Sequence, residues 1–400
     1  MKKTLIALAA IAAVSAASAD VVITGVYDRG YSMLTSNNAQ AAINTVASNS
    51  DTTRIIFIGT ENLGGGLTAG FLSESDVQDN GGATQASTVA GLQNGTINNG
   101  QSYVNIGGAD LGMLKLGNVN SFMHNGYGIA SPQGFNTGYG SSWSSKFSIF
   151  NGISTGNTAL TGTAYSATSA NQTAVVAGAR DVRIANTINY TAPAFSGVTL
   201  GAAFTPQNNN ATNGVGNTVG VTEFNATYNS PKLTAMADSI KYVVGSNGTS
   251  MTIITQNDIT ANAAQALTQK TLTANYTNTH NLLAANYMAL PTLKLHVGFG
   301  SSSSSDSTAK TSSNQYGITY TMGQFDIFGQ LAVVNDQNAT AAQQQNRKLQ
   351  SVGVDYNLSK TVNLYARYEN INYATNVAAF QGSTMGSTMT REAVGVRVRF

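Results

Sequence analysis

Apolar and polar residues alternate with a period of two along most of this chain. In Ser351-Val352-Gly353-Val354-Asp355-Tyr356-Asn357-Leu358 the even positions are apolar, while Ser351, Gly353, Asp355 and Asn357 take the other face. After the short Asn357-Leu358-Ser359-Lys360 turn, Val362, Leu364 and Ala366 oppose Asn363, Tyr365 and Arg367. A period of two places successive side chains on opposite faces of an extended strand. The final run, Ala393 to Phe400, repeats the pattern and ends on an aromatic. A sandwich would waste those valines on water, whereas a barrel wall between lipid and water uses both faces.

Hairpins of this kind follow one another. They span Arg54 to Ser73, Tyr103 to Val119, Arg183 to Phe204, Thr222 to Tyr242, Leu282 to Phe299, Tyr316 to Val333 and Ser351 to Tyr373. With an N-terminal strand at Val21 to Leu34 and the C-terminal strand, these seven hairpins predict 16 strands. Turns within hairpins are short, and connections between hairpins are long and rich in Asn, Ser, Gly and Thr, as at Asn37 to Ser50 and Asp76 to Gly100. An even strand count with short turns on one rim and long loops on the other predicts an all-β, 16-stranded antiparallel transmembrane β-barrel, with its short turns in the periplasm. A β-solenoid would show a fixed-period repeat, and none is visible.

The start of the chain agrees with export. Lys2 and Lys3 precede an apolar run, and Ala17-Ser18-Ala19 supplies small residues for cleavage between Ala19 and Asp20. The expected organisation is a cleaved leader over 1–19 and one barrel domain over 20–400. The apolar run from Leu5 to Ala17 is too short to span a bilayer as a helix. Charged residues form 10% of the chain, so water-facing positions are polar and mostly neutral. Of 20 basic and 18 acidic residues, the leader removes two lysines, leaving 18 of each sign. That balance, without a basic cluster, gives no sign of a nucleic-acid partner. There is no cysteine, so disulfides, thiolate metal sites and cysteine nucleophiles are excluded.

The longest connection, about 120–179, contains Trp143 and a cluster of Phe122, Tyr127, Phe135, Tyr139, Phe147 and Phe150. So many aromatics need a surface to pack on, and the inside of the barrel wall is the nearest one. Parity supplies the lumen-facing set. Arg183 shares a face with Thr187 and Asn189, opposite Ile184, Ile188 and Tyr190. Lys294 and His296 alternate with Leu293, Leu295 and Val297, while Arg367, Arg397 and Arg399 alternate with apolar residues. A Lys or Arg on the lipid face at mid-bilayer costs roughly 2 to 4 kcal/mol, which favours the inward assignment. Arg54, Lys115 and Arg183 come from strands near the long loop and are the first candidates for a narrow zone. Arg397 and Arg399 are expected nearer the periplasmic rim. For any one of these residues the plainer role is a solvated wall position.

Tyr190, Phe204, Tyr228, Tyr356, Tyr368 and Phe400 lie near strand ends and suit an interfacial girdle. Tyr365 is the strand aromatic placed inward. No catalytic, cofactor or metal site is predicted, because His124, His280 and His296 have no spacing that suggests a metal pair or a nucleophile and base. Gly64-Gly65-Gly66 lacks the Lys-Ser/Thr of a phosphate loop and belongs to a turn.

Several segments together resemble the trimeric general porins of Gram-negative outer membranes, in their beta-proteobacterial branch. These are Asp20 to Asp28, Gly59 to Leu67, Leu116-Gly117, Asn189 to Gly197, Val352 to Lys360 and the terminal Phe400. They occur in the family's order across almost the whole mature chain. The resemblance implies an outer-membrane homotrimer of 16-stranded barrels surrounded by lipids and lipopolysaccharide. It also implies a pore narrowed by an inward-folded third loop, and reading of Phe400 by the barrel-insertion machinery. Small hydrophilic solutes and ions would diffuse through passively.

The family commonly sets acids on the third loop against basic residues on the wall. Here the stretch from Asn120 to Ala179 contains no Asp or Glu. Gln133, in Ser131-Pro132-Gln133-Gly134-Phe135, stands where a carboxylate is frequent, and Asn118 and Ile58 occupy positions that are often basic. The thinned field implies weak selectivity, with a slight anion preference. Two alternatives accompany this expectation: a substrate-specific porin, and a surface adhesin or structural barrel without an open channel.

Overall fold

The computed structural model describes residues 20–36, 43–77, 100–135, 138–142, 183–206, 219–244, 251–253, 270–272, 276–305, 310–337, 346–373 and 388–400. The expected leader, with Ala19, and the aromatics Trp143, Phe147 and Phe150 lie outside them. Sixteen strands close into one antiparallel barrel. They are β1 (Asp20–Ser36), β2 (Arg54–Gly64), β3 (Leu67–Asp76), β4 (Ser102–Gly108), β5 (Gly112–Asn120), β6 (Arg183–Thr191), β7 (Val198–Thr205) and β8 (Val219–Asn229). The wall continues with β9 (Leu233–Val244), β10 (Tyr276–Leu290), β11 (Leu293–Ser304), β12 (Lys310–Met322), β13 (Phe325–Asp336), β14 (Arg347–Asn357), β15 (Val362–Tyr373) and β16 (Thr388–Arg399). Every predicted hairpin is present. Each strand pairs with its sequence neighbour, and β16 closes on β1 from Val26↔Arg399 to Ser36↔Met389. Closure leaves no edge, so backbone groups of the wall are satisfied within the membrane.

Two short pieces lie outside the sixteen. Met251–Ile253 pairs with Lys270–Leu272 as a separate ribbon. Ile43–Ala47 pairs with the outer half of β1, whereas β2 pairs with the inner half. Residues 48–53 therefore leave the wall between them.

Parity sorts the two faces as the alternation predicts. Val352, Leu364, Val394 and Val396 are exposed on the outside, and Ser351, Asp355, Asn363 and Arg397 are buried within. Tyr190, Phe204, Tyr228, Tyr368 and Phe400 also sit on the outer face. The periplasmic hairpin between β2 and β3 needs Gly64, Gly65 and Gly66, all at positive φ, a region that costs an L side chain strain.

One stretch of wall is apolar on its inner face. Met236 and Ile240 of β9, with Leu282 and Ala284 of β10, are buried there. They seat α1 (Phe122–Ala130), which enters the lumen from the end of β5 and packs on β9 and β10 through Met123, Tyr127 and Ala130. Nine residues are too few for a stable isolated helix. Burial, at roughly 1.5 to 3 kcal/mol per large apolar side chain, holds it to the wall.

Candidate functional site

The third outer loop crosses the lumen along a chain of specific contacts. Ser121 caps α1 by accepting the His124 N–H at 3.0 Å, and Glu223 of β8 accepts the Met123 N–H at 2.8 Å. Both bonds satisfy donors that a helix N-terminus leaves open. Beyond α1, the carbonyl of Ala130 and the Ser131 hydroxyl accept from Gln315 of β12. Phe135 then packs against Phe328 of β13, and the Gly134 carbonyl accepts from Arg367 Nε at 3.2 Å. Residues 138–142 continue to the far side. The Tyr139 N–H reaches the Asn49 carbonyl at 2.7 Å, and the Gly140 N–H reaches Glu369 at 2.5 Å. The Gly140 carbonyl accepts from Gln330 and Ser351.

A second element meets the loop from the opposite wall. Residues 48–53 fold inward because the Asp28 carboxylate gathers their backbone, accepting the N–H groups of Asn49, Ser50 and Asp51 at 3.2, 3.1 and 2.8 Å. Tyr365 of β15 adds its hydroxyl at 2.6 Å. Below lies a buried charge network. Asp355 accepts from Arg367 at 2.5 Å and from Arg397 at 2.7 Å, and both arginines also donate to the Ser50 hydroxyl at 3.0 Å. Two cations on one carboxylate leave the network net positive. On its periplasmic side a cavity of about 530 Å3 is lined by Gln133, Phe328, Asp355, Lys360, Arg397 and Arg399.

A closed barrel with a loop folded across its lumen is the architecture of a diffusion channel. The family described as Gram-negative porin matches residues 4–376. The chain belongs to the Gram-negative porins. Among solved structures it is similar to the anion-selective porin from Comamonas acidovorans, with TM-score 0.66 and 18% identity over 96% of this chain and all of that one. The trimer form of OmpT from Vibrio cholerae gives TM-score 0.59 and 13% identity, covering 96% of this porin and 100% of that chain. OmpF of Salmonella typhi, in complex with daunomycin, gives 0.57 and 12%, covering 95% and 97%. No curated protein sequence matches. Membership makes this porin an integral outer-membrane barrel that passes small solutes. Among the described residues no group of His, Cys, Asp and Glu is arranged to hold a metal ion.

The porin's charged candidates fall into three settings. Arg54 pairs with Asp51 at 3.3 Å, and Arg183 binds Glu74 at 2.6 Å and Asp76 at 3.2 Å. Arg367 and His296 lie under the third loop, the latter with Nδ1 donating to the Ile129 carbonyl at 3.1 Å and Nε2 facing the Thr319 hydroxyl. Lys115 and Lys294 are half-buried on the inner face, and among the described residues neither has an ion pair. Lys115 lies 5.0 Å from the ring of Tyr103. Of the neutral candidates, Asn118 donates to the Gly100 carbonyl at 2.7 Å and braces the start of β4, while Gln133 faces the cavity.

Two expectations change. Ile184, expected on the outer face opposite Arg183, is on the inner one, because Asn186 takes φ 54° and the register with β5 shifts between Gly117 and Val119, while the Arg183 guanidinium still reaches the lumen carboxylates Glu74 and Asp76. That bulge turns Ile184 into the buried core. Arg397 is not a rim residue like Arg399, since its guanidinium reaches Ser50 beneath the loop. The sequence reading missed the inward fold of residues 48–53. Its one signal was an acid, Asp28, at an inward position of the first strand.

Proposed function

We propose that this porin is a weakly selective diffusion channel with a preference for anions. The carrying observation is the state of its lumen charges. Asp28 is saturated by backbone N–H groups and Tyr365, and Asp51, Glu74, Asp76, Asp355 and Glu369 each face an arginine. Glu223 is committed to α1, whereas Lys115 and Lys294 have no carboxylate beside them among the described residues. The described part of the third loop adds no acid. A bound carboxylate contributes little field to the pore; Asp326, at the cavity, accepts only from Thr321 and Asn357 among the described residues, and the two wall lysines outweigh that one acid.

Several further readings accompany this one. Cleavage after Ala19 would free Asp20, the residue that opens β1, and leave one barrel over 20–400. A homotrimer in lipid and lipopolysaccharide, inserted through recognition of Phe400, agrees with a trimer among the similar structures. The similarity to an anion-selective porin agrees with the charge reading. Planar-bilayer recording under a KCl gradient tests it. Discrete steps with a reversal potential on the chloride side are expected, and a clear potassium preference would overturn the assignment. A barrel serving only as an adhesin would give no steps.

A further inference from the structure

The inner wall of β1 to β4 carries an apolar row where a porin lumen is ordinarily polar. Val22, Ile58, Leu72 and Tyr103 are consecutive register partners across the four strands. Val21, Phe71 and Val104 beside them, and Ile55 three residues before Ile58, are exposed on the outer face, which puts the row on the inner one. Val22 is 55% exposed, and Ile58, Leu72 and Tyr103 are half-buried. At the spacing of adjacent strands the row runs for roughly 14 Å.

Its polar flanks differ. On the outer side, Glu74 partners Ile56 and is held by Arg183. On the periplasmic side the next row runs from Asp20 on β1 through Thr60 and Gly70 to Asn105, Lys115 and Asn189, with the Lys115 ammonium beside the Tyr103 ring and the Asp20 carboxylate four strands from it. Across the lumen α1 is fixed to the β9 and β10 wall and exposes Asn125 and Gly128. One side of the passage is therefore apolar, with the Lys115 ammonium at the Tyr103 end of its periplasmic edge and a paired Glu74–Arg183 on its outer edge, and the other is polar.

We propose that this row and Lys115 form a recognition strip for small aromatic monocarboxylates. The ring lies along Ile58 and Leu72 against the edge of Tyr103, and the carboxylate meets Lys115 and the Asn105 amide. An apolar surface with few convergent polar groups is the usual make-up of a small-molecule site. A single ammonium matches one carboxylate, and aromatic edge contacts add to the burial of the ring. Partial exposure keeps the contact weak enough for release, as conduction requires.

The inference rests on the anion preference proposed above, and its test compares two anions so that the two can fail separately. Reversal potentials are measured for the full chain with potassium benzoate facing potassium acetate. Benzoate is expected to permeate better than acetate by about threefold, the reverse of their mobilities in water. Ile58→Thr with Leu72→Thr should return the order to that of mobility. Val22→Thr, at the exposed end of the row, gives a milder version of the same shift should the double variant not assemble. Acetate exceeding benzoate in the unaltered channel, or a ratio unmoved by these variants, would overturn the proposal. A potassium preference in KCl with benzoate still ahead of acetate would remove only the general anion reading.

Discussion

The Glu369 carboxylate accepts the backbone N–H of Gly140 at 2.5 Å, tying β15 to a residue of the third loop 229 positions earlier. The same carboxylate pairs with Arg391 of β16, whose guanidinium lies 4.2 Å from the Tyr139 ring. Glu369→Ala removes the anchor and the carboxylate that pairs with the buried Arg391, and breaking a buried pair typically costs up to about 3 to 5 kcal/mol. Increased open-channel current noise and a lower urea midpoint are expected. An unchanged noise spectrum would show that the loop is held elsewhere.

Two glycines of α1 separate the seat of the helix from its free face. A Cβ at Gly126 would meet the Met236 and Leu282 side chains at 2.3 and 2.6 Å, while one at Gly128 meets nothing within 4 Å. Gly126→Leu should lift the helix into the lumen, lowering both single-channel conductance and thermal stability. Gly128→Leu should lower conductance alone. Equal thermal midpoints for the two variants would contradict this assignment of faces.

Lys115 sits on the inner face and Lys241 on the outer, the latter exposed on β9. Lys115→Glu changes the lumen charge by two, and at water-like dielectric each unit is worth about threefold in ion ratio at close range. The chloride-to-potassium permeability ratio should fall accordingly, while Lys241→Gln leaves it unchanged. Reversal potentials in graded KCl provide the measurement.

Asp355 is the shared counter-ion of Arg367 and Arg397. Asp355→Asn leaves two buried guanidiniums against a neutral amide, so a lower thermal midpoint of the folded barrel, read as loss of the folded band on unheated gels, is expected. Adding Arg397→Gln should recover part of that loss by removing one uncompensated charge. Failure of the second change to help would mean that Asp355 acts through something other than charge balance.

The barrel was legible in the sequence because a lipid face and a water face impose a strict period of two, as in Val352, Val354 and Tyr356 against Ser351, Gly353 and Asp355. Tyr365 was placed inward by the same rule and is there, against Asp28. Parity failed where the backbone departs from a regular strand. Asn186 adopts a left-handed conformation that no local pattern announces, and Ile184 turned inward with it. The apolar inner positions Met236, Ile240, Leu282 and Ala284 follow from the docking of α1. Their partner lies more than a hundred residues earlier, beyond the reach of any local periodicity. The burial of Arg397 depends likewise on Ser50, at the other end of the chain.

The inward fold of residues 48–53 has a consequence for biogenesis. Its hub, Asp28, is completed by Tyr365, and its Ser50 hydroxyl is held by Arg367 and Arg397. The first strand must therefore stand beside the last two before this half of the constriction exists. A barrel whose seam between β1 and β16 is still open is narrowed from the third-loop side alone, and joining the seam is the same event that completes the calibre of the pore.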